Sequence, residues 1–144
     1  MPNSTDIERL IPQRSPILMV DELLEATDEK AICQLTLRAD NFFMQLDGTL
    51  AEVGIIEHIA QSASALAGYK AIKAGATRPP VGYIGEVKNF HLYQIPVLGD
   101  VLRTTVTMGP TVQGVSIVWG TTQIGDQVVA DTQLKIFVKE ETET

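Results

Sequence analysis

Residues 50–75 read LAEVGIIEHIAQSASALAGYKAIKAG, the one long segment whose apolar residues repeat with a helical rather than an alternating period. At about 100° per residue, Ile55, Ile56, Ile59, Ala60, Ala63, Leu66 and Ala67 fall on one broad face. Gly75 stands where a C-terminal stop belongs, which predicts a helix over about Leu50–Ala74. Ala60, Ser64, Ala67 and Gly68 keep one edge of that face small, so a sheet can approach the helix backbone closely.

Working outward, the flanking sequence is β in character. Ala31, Cys33, Leu35 and Leu37 alternate with Ile32, Gln34, Thr36 and Arg38, the period of a half-buried strand. Ile17–Ala26 reads as a strand before it. Ser4 or Thr5 can cap a short helix ending near Leu10, and Pro12 and Pro16 then impose an extended path. After Pro79-Pro80, strands are expected over Val81–Phe90, Val101–Met108, Val115–Ile124 and Gln127–Val138. Gly109-Pro110 and Gly125-Asp126 read as links between hairpin strands. The order is two strands, one long helix, then four strands in a meander. An antiparallel sheet wrapped around the helix is the economical α+β solution. The tail Glu140-Glu141-Thr142-Glu143-Thr144 reads as a solvated end.

The 144 residues, 44% of them hydrophobic, fit a single domain spanning 1–144 with an ordinary core. Eleven Lys+Arg against eighteen Asp+Glu give a formal net charge of −7, which argues against a nucleic-acid partner. No run approaches the ~18 apolar residues of a membrane span. The opening residues lack the pattern of a signal peptide, so a cytoplasmic protein is expected. One cysteine, Cys33, excludes an internal disulfide, and with two histidines, His58 and His91, no metal site is expected.

Several segments are together similar to one family. Ile11-Pro12-Gln13-Arg14-Ser15-Pro16-Ile17-Leu18-Met19-Val20-Asp21 resembles the opening of the 3-hydroxyacyl-(acyl carrier protein) dehydratases, Leu-Pro-His-Arg-x-Pro followed by apolar residues and Asp. Ile56-Glu57-His58-Ile59-Ala60-Gln61 resembles the start of their central helix, Ile-Glu-x-x-Ala-Gln. Lys88-Asn89-Phe90, Pro96-Val97-Leu98-Gly99-Asp100 and Val129-Ala130 follow in the family's order. The resemblance covers about residues 8 to 138 and implies the hotdog fold, with dimers whose active sites lie at the subunit interface. Two departures stand out. Family members usually carry His-Phe-Pro-Gly, with the general base His, in the loop before the helix. Here that loop is Phe42-Phe43-Met44-Gln45-Leu46-Asp47-Gly48-Thr49-Leu50, and the His of the opening motif is Gln13. The stretch Asp47-Gly48-Thr49-Leu50-Ala51-Glu52-Val53-Gly54 is closer to a divergent branch of dehydratases associated with aryl polyene pathways.

Dehydrating a 3-hydroxyacyl thioester takes a base at Cα, an acid at the departing hydroxyl, and donors for the thioester oxygen. By the resemblance Glu57 is the acid; the alternative is a helix Glu facing solvent or a subunit. His58 can restore the missing pair, but helix neighbours point roughly 100° apart, so it either serves a site shared with a second subunit or packs at a boundary. Gln61, one turn beyond Glu57, is placed to hydrogen-bond it or the thioester. Donor amides belong to the turn from Gly48 to Val53 and Gly54. Phe42, Phe43, Met44 and Leu46 line an acyl tunnel or close a core. Asp47 is a loop acid or base, or part of a plain Asp-Gly turn. His91 reaches the tunnel or sits at a strand end. Cys33 reads as an inert core thiol. Lys70, Lys73 and above all Arg78 either bind a phosphopantetheine phosphate or complement the helix dipole.

The resemblance implies a dehydratase acting on acyl groups carried by the phosphopantetheine of acyl carrier protein, with no bound cofactor, in fatty-acid or polyene-type biosynthesis. The alternatives are a non-catalytic hotdog subunit holding the acyl chain in a heterodimer, and an acyl thioesterase. A homodimer or higher oligomer is expected because a lone hotdog leaves a sheet edge uncovered.

Overall fold

A computed structural model of the chain describes residues 7–78 and 80–139. The expected capping residues Ser4 and Thr5 and the tail 140–144 lie outside them. Helix α1 (Ile7–Leu10) is followed by β1 (Glu22–Ala26), β2 (Lys30–Thr36), α2 (Glu52–Lys73), β3 (Val81–Leu92), β4 (Val101–Val112), β5 (Val115–Ile124) and β6 (Gln127–Lys139). The six strands form one antiparallel sheet in the order β1-β2-β4-β5-β6-β3. It curls around α2, which gives the α+β hotdog architecture expected from the sequence. No helix among the described residues is long and apolar enough to cross a membrane.

Helix α2 begins two residues later than the periodicity suggested. Leu50 donates its N–H to Pro96 and Ala51 is extended (φ −63°, ψ 145°), so neither can join the first turn. At the other end Gly75, at φ +103°, returns its N–H to Ile72, and the chain turns away as predicted. Ile55, Ile59, Ala63 and Leu66 are buried against inward-facing Ala31, Cys33, Leu35, Leu102, Val106, Val118 and Leu134 of the sheet. Each large apolar side chain removed from water there contributes roughly 1.5–3 kcal/mol. Ile56 and Ala67, which the periodicity placed on the same face, are half-buried.

Three expectations are corrected. The strand predicted over Ile17–Ala26 starts at Glu22, because the backbone groups of Ile17 and Met19 bond helix side chains instead of a neighbouring strand. The four C-terminal strands are not a simple meander. β4, β5 and β6 are, but β3 lies at the far edge against β6, and residues 93–100 cross back to start β4. The β4–β5 turn is Gln113-Gly114 rather than Gly109-Pro110. Both turn residues have positive φ (53° and 78°), as a two-residue hairpin turn requires. Pro110 instead sits within β4 where the register shifts between Met108 and Thr111, an irregularity that tolerates a residue without an N–H. The Gly125-Asp126 turn joins β5 to β6 as expected, with Gly125 at φ +58°.

The segment 7–20 covers the side of α2 that the sheet leaves open. Its approach at Leu10 is so close that a β-carbon on Gly68 would run into the Leu10 carbonyl oxygen. The middle of α2 is therefore enclosed nearly all round, and His58, Gln61 and Ser62 are buried with the apolar residues.

Candidate active site

The small edge of α2 does not close against the sheet. Ala60, Ser64 and Ala67 face Gly82 and Tyr83 of β3 across a cavity of about 220 Å³, which Met108 and Ile136 also bound. Alanine and glycine side chains are too short to fill this space, and the result is a mostly apolar slot lying along the helix. Glu57 and Gln13 supply polar groups to its wall. Ser64 adds a hydroxyl.

Glu57 is held in place. Gln61 Nε2 donates one hydrogen to Glu57 Oε1 (2.8 Å) and the other to the Ile17 carbonyl (2.8 Å). Gln61 Oε1 accepts the Met19 N–H at 2.6 Å. A backbone carbonyl can only accept and a backbone N–H can only donate, so the orientation of this carboxamide is determined without ambiguity. Among the hydrogen bonds of the described residues, Glu57 Oε2 takes part in none. The expectation that Gln61 would bond Glu57 across one turn agrees with this geometry. The ties to Ile17 and Met19 carried no sequence signal, because they join positions more than forty residues apart.

His58 points elsewhere. Its Nδ1 lies 2.6 Å from the Met19 carbonyl, so Nδ1 carries the hydrogen, and its buried Nε2 has no partner. The ring is fully enclosed and is not part of the cavity wall. Burial depresses its pKa to about 4, opposed weakly by the Met19 bond and the charge of Asp21. At neutral pH it is an uncharged imidazole clamped to the backbone. The angular argument that separated it from Glu57 holds, while a role at an exposed subunit boundary does not fit a ring at 0% exposure.

The loop before α2 forms a separate group. Gly54 gives room for Phe43, whose Cβ would lie 2.7 Å from a β-carbon at that position. Asp47 accepts the Thr49 hydroxyl (2.6 Å) and N–H (3.0 Å), which together hold its carboxyl below the ordinary carboxylate range. That is turn chemistry, with Gly48 at φ +85°. Phe43 and Met44 pack on the core, whereas Phe42 and Leu46 are exposed. Gly48, Val53, Gly54 and Phe43 do not line the cavity that holds Glu57. Arg78 is exposed beyond the helix end and also lies off the cavity wall. Lys73 pairs with Asp28 (3.4 Å).

The remaining candidates stand apart from the slot. His91 Nδ1 meets Asp131 at 2.9 Å on the outer face of the sheet, and the Tyr93 hydroxyl takes the other Asp131 oxygen. Cys33 is buried and its thiol is pushed up to about 12 by desolvation, which leaves it unreactive. Among the described residues no three His, Cys, Asp or Glu side chains gather as a metal site. Gln13 is the cavity residue that sequence reasoning treated solely as a missing histidine.

The family described as ApeP-like, ApeP dehydratase, matches residues 5–144. The 3-hydroxyacyl-(acyl-carrier-protein) dehydratase FabZ of Pediococcus pentosaceus is 32% identical over 141 residues, spanning 94% of this chain and 92% of the relative. FabZ of Lactiplantibacillus plantarum is 30% identical over 140 residues, with the same two coverages, 94% and 92%. Among solved structures, a chain of the dehydratase heterocomplex ApeI:P from Xenorhabdus doucetiae superposes with a TM-score of 0.87 at 18% identity, covering 95% of this chain and 93% of that one. A hypothetical thioesterase from Streptococcus pneumoniae, solved with coenzyme A, matches at a TM-score of 0.65 and 11% identity, over 85% of this chain and 88% of that one. The sheet-and-helix arrangement is thus shared well beyond recognisable sequence similarity.

Proposed function

The chain belongs to the ApeP-like dehydratase family, and from that premise we propose that it dehydrates 3-hydroxyacyl groups carried on acyl carrier protein, as one half of a composite site. The observation that carries this reading is the carboxyl of Glu57, fixed by Gln61 at the wall of an acyl-sized slot with no imidazole beside it.

The acyl chain lies along Ala60, Ser64 and Ala67, with C3 beside Glu57. Glu57 acts as the acid, giving a proton from Oε2 to the departing 3-hydroxyl while a base removes the proton from Cα, and water leaves. Protons and electrons balance without an oxidant or reductant, so the step calls for no redox cofactor. The thioester oxygen gains charge as the Cα proton departs and needs amide donors. In the turn Gly48–Gly54 the N–H groups of Gly48, Thr49, Leu50, Ala51 and Gly54 are already engaged. Those of Glu52 and Val53, in the first turn of α2, are the donors that meet a slot when two hotdog chains pair. The base is absent from this chain's cavity wall, and we assign it to a second hotdog subunit carrying the loop histidine. The superposition on a chain of a dehydratase heterocomplex supports that arrangement.

The test is mass spectrometry of a 3-hydroxyacyl group on acyl carrier protein, with the purified chain alone and with a loop-histidine hotdog homologue. Loss of one water solely with both chains present, abolished by Glu57→Gln, is the expected result. Dehydration by this chain alone would overturn the shared site. Full activity of the pair with Glu57→Gln would reduce the chain to a scaffold, and release of bare carrier would make it a thioesterase.

A further inference from the structure

We propose that His58 is a positioning residue for Glu57, acting through the backbone of Met19 and the carboxamide of Gln61. The inference rests on the reading of Glu57 as the acid and adds to it the device that aims the carboxyl.

Glu57 is one contact from Gln61, and the Gln61 carboxamide is itself oriented by Ile17 O and Met19 N. Those two backbone groups belong to a segment with no strand partner, since the sheet begins at Glu22. Besides the buried side chains of Met19 and Val20, the segment is held on α2 by the other polar group of Met19, its carbonyl, gripped by His58 Nδ1 at 2.6 Å. His58 and Gln61 are three residues apart on one helix, so together they take both backbone groups of a single residue. Asn41 Nδ2, 3.2 Å from Met19 Sδ, steadies the side chain. Ser62 Oγ bonds the His58 carbonyl (2.8 Å) and does not touch the ring. The ring is therefore engaged through Nδ1 alone, and its Nε2 has no partner at all. A group kept for one N–H donor should be replaceable by another donor at the same reach.

Asparagine is that group, because its Nδ2 occupies the place of Nδ1; it has nothing corresponding to Nε2, and its Oδ1 falls where the ring has Cδ2. In the complex competent for dehydration, His58→Leu should lower kcat about 10-fold or more with KM within about twofold, and His58→Asn should restore kcat to within about threefold of the parent. Thr104→Val, which breaks a buried hydroxyl pair outside both this relay and the slot wall, serves as the control for lost stability and should leave kcat unchanged. A folded but inactive His58→Asn would overturn the inference, since the ring would then be needed for itself, as would a fully active His58→Leu. Unchanged turnover in Glu57→Gln would instead sink the reading of Glu57, a result the His58 variants do not produce. Amide hydrogen exchange gives a readout independent of activity. The Met19 N–H should lose protection in His58→Leu and keep it in His58→Asn, and retained protection in the leucine variant would also overturn the proposal.

Discussion

Gln61 and Glu57 stand one helical turn apart and are joined by a 2.8 Å hydrogen bond from Nε2 to Oε1. That bond selects which carboxyl oxygen is left to carry a transferable proton. Gln61→Leu should therefore cost about 10- to 100-fold in turnover when assayed with the loop-histidine homologue, and almost nothing further when added to Glu57→Gln. Additive losses in the double variant would show that Gln61 works independently of Glu57. The same change strands the buried Met19 N–H, so unfolding free energy should fall by about 1–3 kcal/mol, with little added by Ile17 O, whose residue is exposed.

Gly68→Ala tests the strap formed by residues 7–20. In an open helix position the change would stabilise by about 1 kcal/mol. Here the Leu10 carbonyl occupies the place of the new β-carbon, and α1 packs against α2 at this point. Denaturant titration should show a loss of about 2–4 kcal/mol. A gain would mean that the strap moves aside at little expense.

Thr104 and Thr122 face each other across β4 and β5, both fully buried, with their hydroxyls 2.6 Å apart. Thr104→Val leaves the Thr122 hydroxyl without a partner and should cost about 1–3 kcal/mol. The double change Thr104→Val with Thr122→Val should recover most of that loss. Equal and additive losses would imply that each hydroxyl has some other role in the core.

His58 makes stability depend on pH. Its folded pKa of about 4 lies below the ordinary 6.5, so between those values the unfolded chain binds the extra proton. The contribution is complete above pH 6.5 and disappears as pH falls towards 4, with a span of roughly 3 kcal/mol for this buried group. Urea titrations over that window should show a slope that His58→Asn removes. A slope that persists in His58→Asn would assign the proton uptake to other groups.

Helix Glu52–Lys73, expected over about Leu50–Ala74, and the strands Val115–Ile124 and Gln127–Lys139, the second expected to Val138, were legible because their periodicity is local. Glu57 was legible through the motif around it, and Gln61 through its spacing of four. What escaped was set by contacts between distant parts of the chain. No feature of residues 17–20 announces that helix side chains will take their backbone groups. The burial of His58 and Ser62 follows from a strap whose position is fixed at Gly68. The pairing of β3 with β6 also leaves no local mark, because the fit of the Phe137 ring over Gly85 joins positions more than fifty residues apart.

That pairing has a consequence during synthesis. β3 ends at Leu92, yet its partner is not complete until Lys139, and β4 and β5 are made in between. At roughly 5–20 residues per second, β3 emerges about 2–10 s before the strand it must join. Through that interval β3, with the apolar residues Val81, Tyr83, Ile84 and Val87 that stay exposed even in the finished chain, lacks the strand it finally pairs with. The β3–β6 ladder is therefore the last that the sheet can close, after the partners of every other ladder but β5–β6 have already been made.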